Sequence, residues 1–112
     1  MTAYKLWTAQ AIPASTAVTS AAIDIGKASA LALHIQTLTG TAPDVTFTYS
    51  LCNSQDGTFI VPLSPVTIKV SAAAADVCDF APEAAEFIKI IATNNNGANA
   101  ATLTAQLAIQ EV

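Results

Sequence analysis

Charge is what this sequence has least of. Only 11% of its 112 residues are charged, against about 25% in ordinary soluble domains. It has four lysines, no arginine and eight acids, for a net charge of −4. Nucleic-acid binding needs clustered Lys and Arg to displace counterions, so that class is excluded. No basic amphipathic segment suggests a membrane surface, and no apolar run approaches the roughly 20 residues of a membrane span. The start, "MTAYKLWTAQ", lacks a charged opening followed by an apolar stretch. No secretory leader is therefore expected, and folding in a cytoplasm is. Histidine is almost absent too: His34 stands alone, on the polar side of an alternating segment. The two cysteines, Cys52 and Cys78, match no metal or redox spacing. One histidine without a Cys-x-x-Cys builds no zinc site. Nucleophile elbows, phosphate-cradling loops and dinucleotide fingerprints are missing as well. The expectation is a protein that is not an enzyme and carries no cofactor or metal.

What is present is apolar and small. Apolar residues make up 53% of the chain, and much of the rest is Thr, Ser and Asn. Disorder needs low hydrophobicity and high charge, so this composition belongs to a folded chain. Its length suits one domain able to bury a core. A neutral surface of short side chains costs little to desolvate, which suits coverage by neighbouring subunits.

Alternation with period two dominates. In "LALHIQ", Leu31, Leu33 and Ile35 oppose Ala32, His34 and Gln36. In "VTFTYSL", Val45, Phe47, Tyr49 and Leu51 oppose Thr46, Thr48 and Ser50. In the last segment Leu103, Ala105, Leu107 and Ile109 oppose Thr102, Thr104, Gln106 and Gln110. These patterns predict half-buried antiparallel strands. Weaker strand signals cover 3–8, 17–25, 58–62, 66–71, 76–80 and 86–93, the last apolar on both sides and so internal to a sheet. Turn residues separate them: Gly26-Lys27, "GTAPD" at 40–44, Asp56-Gly57 and "NNNG" at 94–97. Residues 71–76 and 82–85 read as connections, the latter with room for one helical turn. The expected fold is all-β: an antiparallel β-sandwich or jelly roll of about eight strands spanning 16–112. Residues 1–15 read as an N-terminal strand or an extended arm.

Few residues invite chemistry. Asp44, Asp56, Asp76 and Asp79 fit solvated turns better than a calcium loop. Glu83 and Glu86 suit a helix start better than a glycosidase pair. The cysteines read as ordinary thiols, with a disulfide open if strands 45–52 and 76–80 are neighbours. Phe47 and Tyr49 read as core, and Trp7 is the one candidate sugar platform. Tyr4, Leu6, Trp7 and Ile12 form the candidate interface arm, laid on a neighbour or folded into the chain's own sandwich. In "SQDGTF", Asp56 is expected to cap the turn, Gly57 to supply permissive backbone, and Phe59 to return into the sandwich.

Beyond this residue-by-residue reading, "LHIQTLTGTAPDVTFTYSLCNSQDGTFIVP" followed by "FAPEAAEFIKIIATNNNGANAATLTAQLAIQE" resembles a group of small tailed-phage virion proteins. The likeness rests on the Gly-Thr-x-Pro turn (Gly40, Thr41, Pro43), on Ser54, Asp56, Gly57, Thr58 and Phe59, and on Phe87 to Ile90. It implies a structural protein of the virion, foremost a capsid decoration (cement) protein. Such a protein would bind the major capsid protein or other virion proteins, as a homo-oligomer with a trimer favoured. A tail-, neck- or fibre-associated role is the alternative within the same resemblance. A more distant likeness connects the same pattern to discoidin-like and galactose-binding-like jelly rolls, and through them to a carbohydrate-binding module. This chain lacks their arginines, second tryptophan and extra length.

Overall fold

The computed structural model describes residues 1–71 and 75–111. Its described residues form nine strands: β1 (Thr2–Ile12), β2 (Ala17–Thr19), β3 (Ile23–Asp24), β4 (Ala28–Gly40), β5 (Val45–Cys52), β6 (Ile68–Val70), β7 (Asp76–Phe80), β8 (Phe87–Asn94) and β9 (Ala101–Glu111). One sheet has the order β1-β9-β4-β7. The other runs β2-β8-β5-β6, with β3 also paired to β8. All pairings are antiparallel. The fold is thus an all-β sandwich, with β9 and β4 as the spine of the first sheet and β8 and β5 as the spine of the second.

The strongest alternating segments became those spines. Leu31, Leu33 and Ile35 of β4 meet Leu103, Leu107 and Ile109 of β9 on the inner face, against Val45, Phe47 and Tyr49 of β5 and Ile88 and Ile90 of β8. Each of these side chains is almost fully buried, which stabilises the fold by about 1.5–3 kcal/mol apiece for the aliphatic ones. A bulge lies between Ile35 and Thr37. Gln36 and Thr37 both face solvent there, and Leu38 then returns to the core. One extra residue restores the phase that strict alternation would have lost.

Four strand expectations change in detail. Segment 17–25 is broken into β2 and β3 at Ser20. Its hydroxyl accepts the Ile90 N–H (2.9 Å), taking the place of a ladder carbonyl, while its own N–H donates to the Ile90 carbonyl (2.8 Å). Segment 58–62 shrinks to a single bridge, Leu51 to Ile60, because Pro62 has no N–H to continue a ladder. Segment 66–71 is reduced to β6. Residues 81–86 contain no helical turn. The connection expected over 71–76 falls partly on 72–74, outside the described residues. The N-terminal segment is strand rather than arm: β1 pairs with β9 from Thr2 to Ile12. Its two register shifts, around Trp7 and before Gln10, explain its poor alternation. At the second, Ala9 takes φ 48° and its N–H donates to Thr104 Oγ1 (2.9 Å).

One end of the sandwich is closed by three consecutive asparagines. Asn94 is buried, and its amide donates to the carbonyls of Ile12 and Asn99, each at 3.0 Å, while its Oδ1 accepts the Asn96 N–H. Asn95 Nδ2 donates to Thr46 Oγ1 (2.7 Å). Asn96 Nδ2 donates to the carbonyls of Thr41 and Ala42, and its Oδ1 accepts from the N–H groups of Ala98 and Asn99. "NNNG" thus fastens the β1–β2, β4–β5 and β8–β9 connections together. Replacing Asn94 by Asp keeps the shape but turns a carboxylate toward two carbonyls. We expect Asn94→Asp to lower unfolding free energy by at least about 3 kcal/mol, read from the urea midpoint. The more exposed Asn95→Ala should cost about 1 kcal/mol.

Candidate interaction surfaces

The turn that opens the β5–β6 connection is architectural. Gly57 N donates to the Ser54 carbonyl (3.1 Å), closing Ser54–Gly57 as a β-turn. Gly57 does not have a positive φ; among the described glycines only Gly40 does, at 138°. Glycine is required at 57 for a different reason: a Cβ there would lie 2.5 Å from Cys52 Sγ. Asp56 is exposed and makes no side-chain hydrogen bond among the described residues, so the expected cap is not formed. The Cys52 sulfur accepts the Ser54 N–H instead (3.4 Å). Phe59 does not re-enter the core. It is half-buried on the outer face of the second sheet, with Lys89 Nζ 4.3 Å from its ring centre, a cation–π contact.

The arm residues divide. Ile12 and Trp7 are in the chain's own core, at 0% and 7% exposure, so neither can anchor on a neighbour, and Trp7 offers no platform to a sugar. Leu6 packs on the core from its edge. Tyr4 alone remains exposed, lining a cleft of about 420 Å³ with Asp24, Glu86 and Glu111. Cys52 and Cys78 are free and lie in different sheets. Burial, then Asp76 and Asp79, hold the Cys78 thiol above its usual range. Among the described residues no cluster of His, Cys, Asp and Glu could hold a metal ion.

Three surface features remain. The first is the outer face of the first sheet. Register places Ala3, Ala108 and Ala32 in one row across β1, β9 and β4, ending at Asp79 on β7. The next row runs Lys5, Gln106, His34 and Val77. Further along, Thr37 stands beside Thr104 and Thr39 beside Thr102. Short neutral side chains form the middle of this face, and its charges, Lys5 and Asp79, sit on the edge strands.

The second feature is the loop after the turn, "IVPLSPV". Ile60 is 66% exposed, Val61 48%, Val66 39%, and Leu63 projects completely. Pro62 and Pro65 are half-buried and fix φ on either side of Leu63. The third is an open cleft of about 560 Å³ at the same end of the sandwich, floored by Ile25, Leu31 and Phe80 and walled by Pro82 to Glu86. Tyr49 joins the two: its hydroxyl donates to Glu83 Oε1 (2.7 Å) and accepts the Val66 N–H (3.1 Å).

The sequence placed Phe47, Tyr49 and His34 as the structure does, but it read strands at 58–62 and 66–71 on either side of the prolines and did not single out the exposed apolar loop. The signal was available: from Gly57 to Ile68 there is no charged residue and no polar side to the alternation. No family model and no curated protein sequence matches the chain.

Gly57→Val should destabilise by more than about 2 kcal/mol, through the clash with Cys52, while Asp56→Asn stays within about 0.5 kcal/mol. Both are read by thermal unfolding. Burial, opposed by the Val66 bond and reinforced by Glu83, raises the Tyr49 phenol above its usual range. The folded state therefore holds this proton more tightly than the unfolded state. The resulting stability is complete below the unfolded value near pH 10 and is lost as pH rises through the folded one. Tyr49→Phe should remove that alkaline loss and cost about 1–2 kcal/mol at neutral pH.

Proposed function

We propose that this chain is a non-enzymatic structural protein of a phage virion, acting as a capsid decoration (cement) protein on the assembled shell. The observation that carries this reading is the outer face of the first sheet. β1, β9 and β4 present mostly Ala, Thr and Gln with His34 among them, β7 adds the exposed Val77, and the charged Lys5 and Asp79 lie on the edge strands. Such a face loses little side-chain entropy on contact and carries few charges to desolvate. Binding of each copy can then be weak. Many copies spread across a lattice that each clamp neighbouring subunits give a large collective stabilisation.

The sandwich supports the same role. Two packed sheets hold the face as regular strands, so little of it needs ordering on contact. A carbohydrate-binding reading has less support, because Trp7 lies in the core. The tail, neck or fibre roles share all of these physical arguments and differ only in the partner. Partners under this reading are the major capsid protein or other virion proteins, and the protein resides on the virion.

Titrating empty shells with the purified protein should give saturable binding at a fixed stoichiometry. Ala32→Arg, on the half-exposed middle of the face, should weaken binding at least about tenfold, or roughly 1.4 kcal/mol, without changing the circular dichroism. Failure to bind shells, together with retention on a glycan array, overturns the proposal.

A further inference from the structure

We infer that Asn96-Gly97 is a site of spontaneous deamidation, gated by opening of the asparagine-closed end of the sandwich, and that the product prevents that end from closing again. The inference does not rest on shell binding, since it concerns the isolated protein.

The chemistry is intramolecular. The Gly97 backbone nitrogen gives its proton to hydroxide or a buffer base and attacks Asn96 Cγ. A new N–Cγ bond closes a succinimide ring, and the Cγ–Nδ2 bond breaks. The amide nitrogen takes a proton from solvent and leaves as ammonia. Water then adds to either ring carbonyl and opens the ring to aspartate or isoaspartate. Asparagine is a thermolabile residue, and a glycine after it places no Cβ beside the attacking nitrogen. Of the chain's asparagines only Asn96 is followed by glycine. Gly97 is exposed, and its N–H donates to no acceptor among the described residues. The nucleophile therefore faces water and is unengaged.

The electrophile is held. Asn96 Nδ2 donates to the carbonyls of Thr41 (3.2 Å) and Ala42 (3.0 Å), and its Oδ1 accepts from the N–H groups of Ala98 (2.8 Å) and Asn99 (3.0 Å). Its backbone carbonyl accepts the Ser15 N–H (3.0 Å). Ring closure swings Cγ onto the Gly97 nitrogen and expels Nδ2, so both bonds to the β4–β5 connection must break. Opening of these connections, rather than the reactivity of the pair, then sets the rate. The change runs one way. In aspartate an oxygen replaces the donor and faces the carbonyls of Thr41 and Ala42. In isoaspartate the main chain passes through the former side chain and the connection lengthens by one carbon. Either product loses the bonds between the β8–β9 and β4–β5 connections. Chemical modification of the open form thus makes a transient opening irreversible.

The fold itself does not require glycine at 97. Its φ is not positive, and a Cβ there would meet only Ser15 Oγ among the described residues, at an ordinary 3.6 Å. Gly97→Ala therefore separates the chemistry from folding.

The full chain, native and unfolded in urea, is incubated in mildly alkaline buffer, and each asparagine is followed by peptide mass spectrometry that resolves isoaspartate. In urea Asn96 should react before every other asparagine. The native protein should react at least about tenfold more slowly. Asn95→Ala removes the amide's bonds to Thr46 and Asp44 but leaves the reacting pair. It should speed the native reaction about fivefold and leave the urea rate unchanged. Gly97→Ala should keep the circular dichroism of the wild type and lose most of the reaction in urea. Protein modified at Asn96 should unfold at a lower urea midpoint than unmodified protein from the same incubation. Equal native and urea rates overturn the inference, as does another asparagine reacting first in urea. So does an Asn95→Ala variant no faster than the wild type when native, a Gly97→Ala variant that reacts as the wild type does, or modified protein with an unchanged midpoint.

Discussion

The two sheets are joined at one end by a buried asparagine, and the remainder of the molecule is arranged around that junction. Asn94 ends β8 in the second sheet, yet its amide reaches the carbonyl of Ile12 at the end of β1 in the first. A buried amide left without partners would cost several kcal/mol, so the three connections at this end must take up positions that satisfy it. Asn95 and Asn96 extend the same logic to Asp44, Thr41 and Ala42. Gly40 completes it. Its φ of 138° and the nearness of the Ala100 carbonyl, 2.9 Å from where a Cβ would stand, leave room for no other residue. Side-chain amides close this end, whereas the opposite end is held by the Tyr49 hydroxyl and by bonds such as Ile25 N–H to the Glu86 carbonyl (2.8 Å) and Glu86 N–H to Asn53 Oδ1 (3.2 Å).

That asymmetry matters for what each end can do. Regions with few buried contacts and few internal hydrogen bonds open most easily and are where partners are accommodated. The open clefts and the projecting loop all lie at the end away from the asparagines. The closed end fixes the stagger of the sheets, so the outer face of the first sheet is presented in one geometry.

Much of this architecture was legible in the chain, for identifiable reasons. Strands β4, β5 and β9 alternate in burial over Leu31–Ile35, Val45–Tyr49 and Ala101–Leu107, the stretches that carried the signal. β1 was ambiguous because its burial does not alternate: Tyr4 and Lys5 are both exposed, and only Trp7 and Ile12 reach the core. Two register shifts then displace what pattern remains. The role of "NNNG" could not be read locally, because its partners at Ile12 and Thr46 lie 82 and 49 residues away. A run of asparagines before glycine spells a turn whether or not its amides are buried. The Asp56-Gly57 pair misled in the opposite sense. Its glycine is dictated by a sulfur next to it rather than by backbone handedness, and no turn rule contains that contact.

The scarcity of charge takes on a spatial meaning in the fold. Asp24, Glu83, Glu86 and Glu111 line the clefts at the open end, Asp44 pairs with Lys69 (3.7 Å) near the closed end, and Lys5 and Asp79 stand on edge strands. The broad face of the first sheet and the Leu63 loop are what remain, and both are nearly neutral. A protein with so little charge risks non-specific association unless its neutral surfaces are covered by chosen partners. The surfaces without charge are therefore the parts of the molecule that cost least to remove from water.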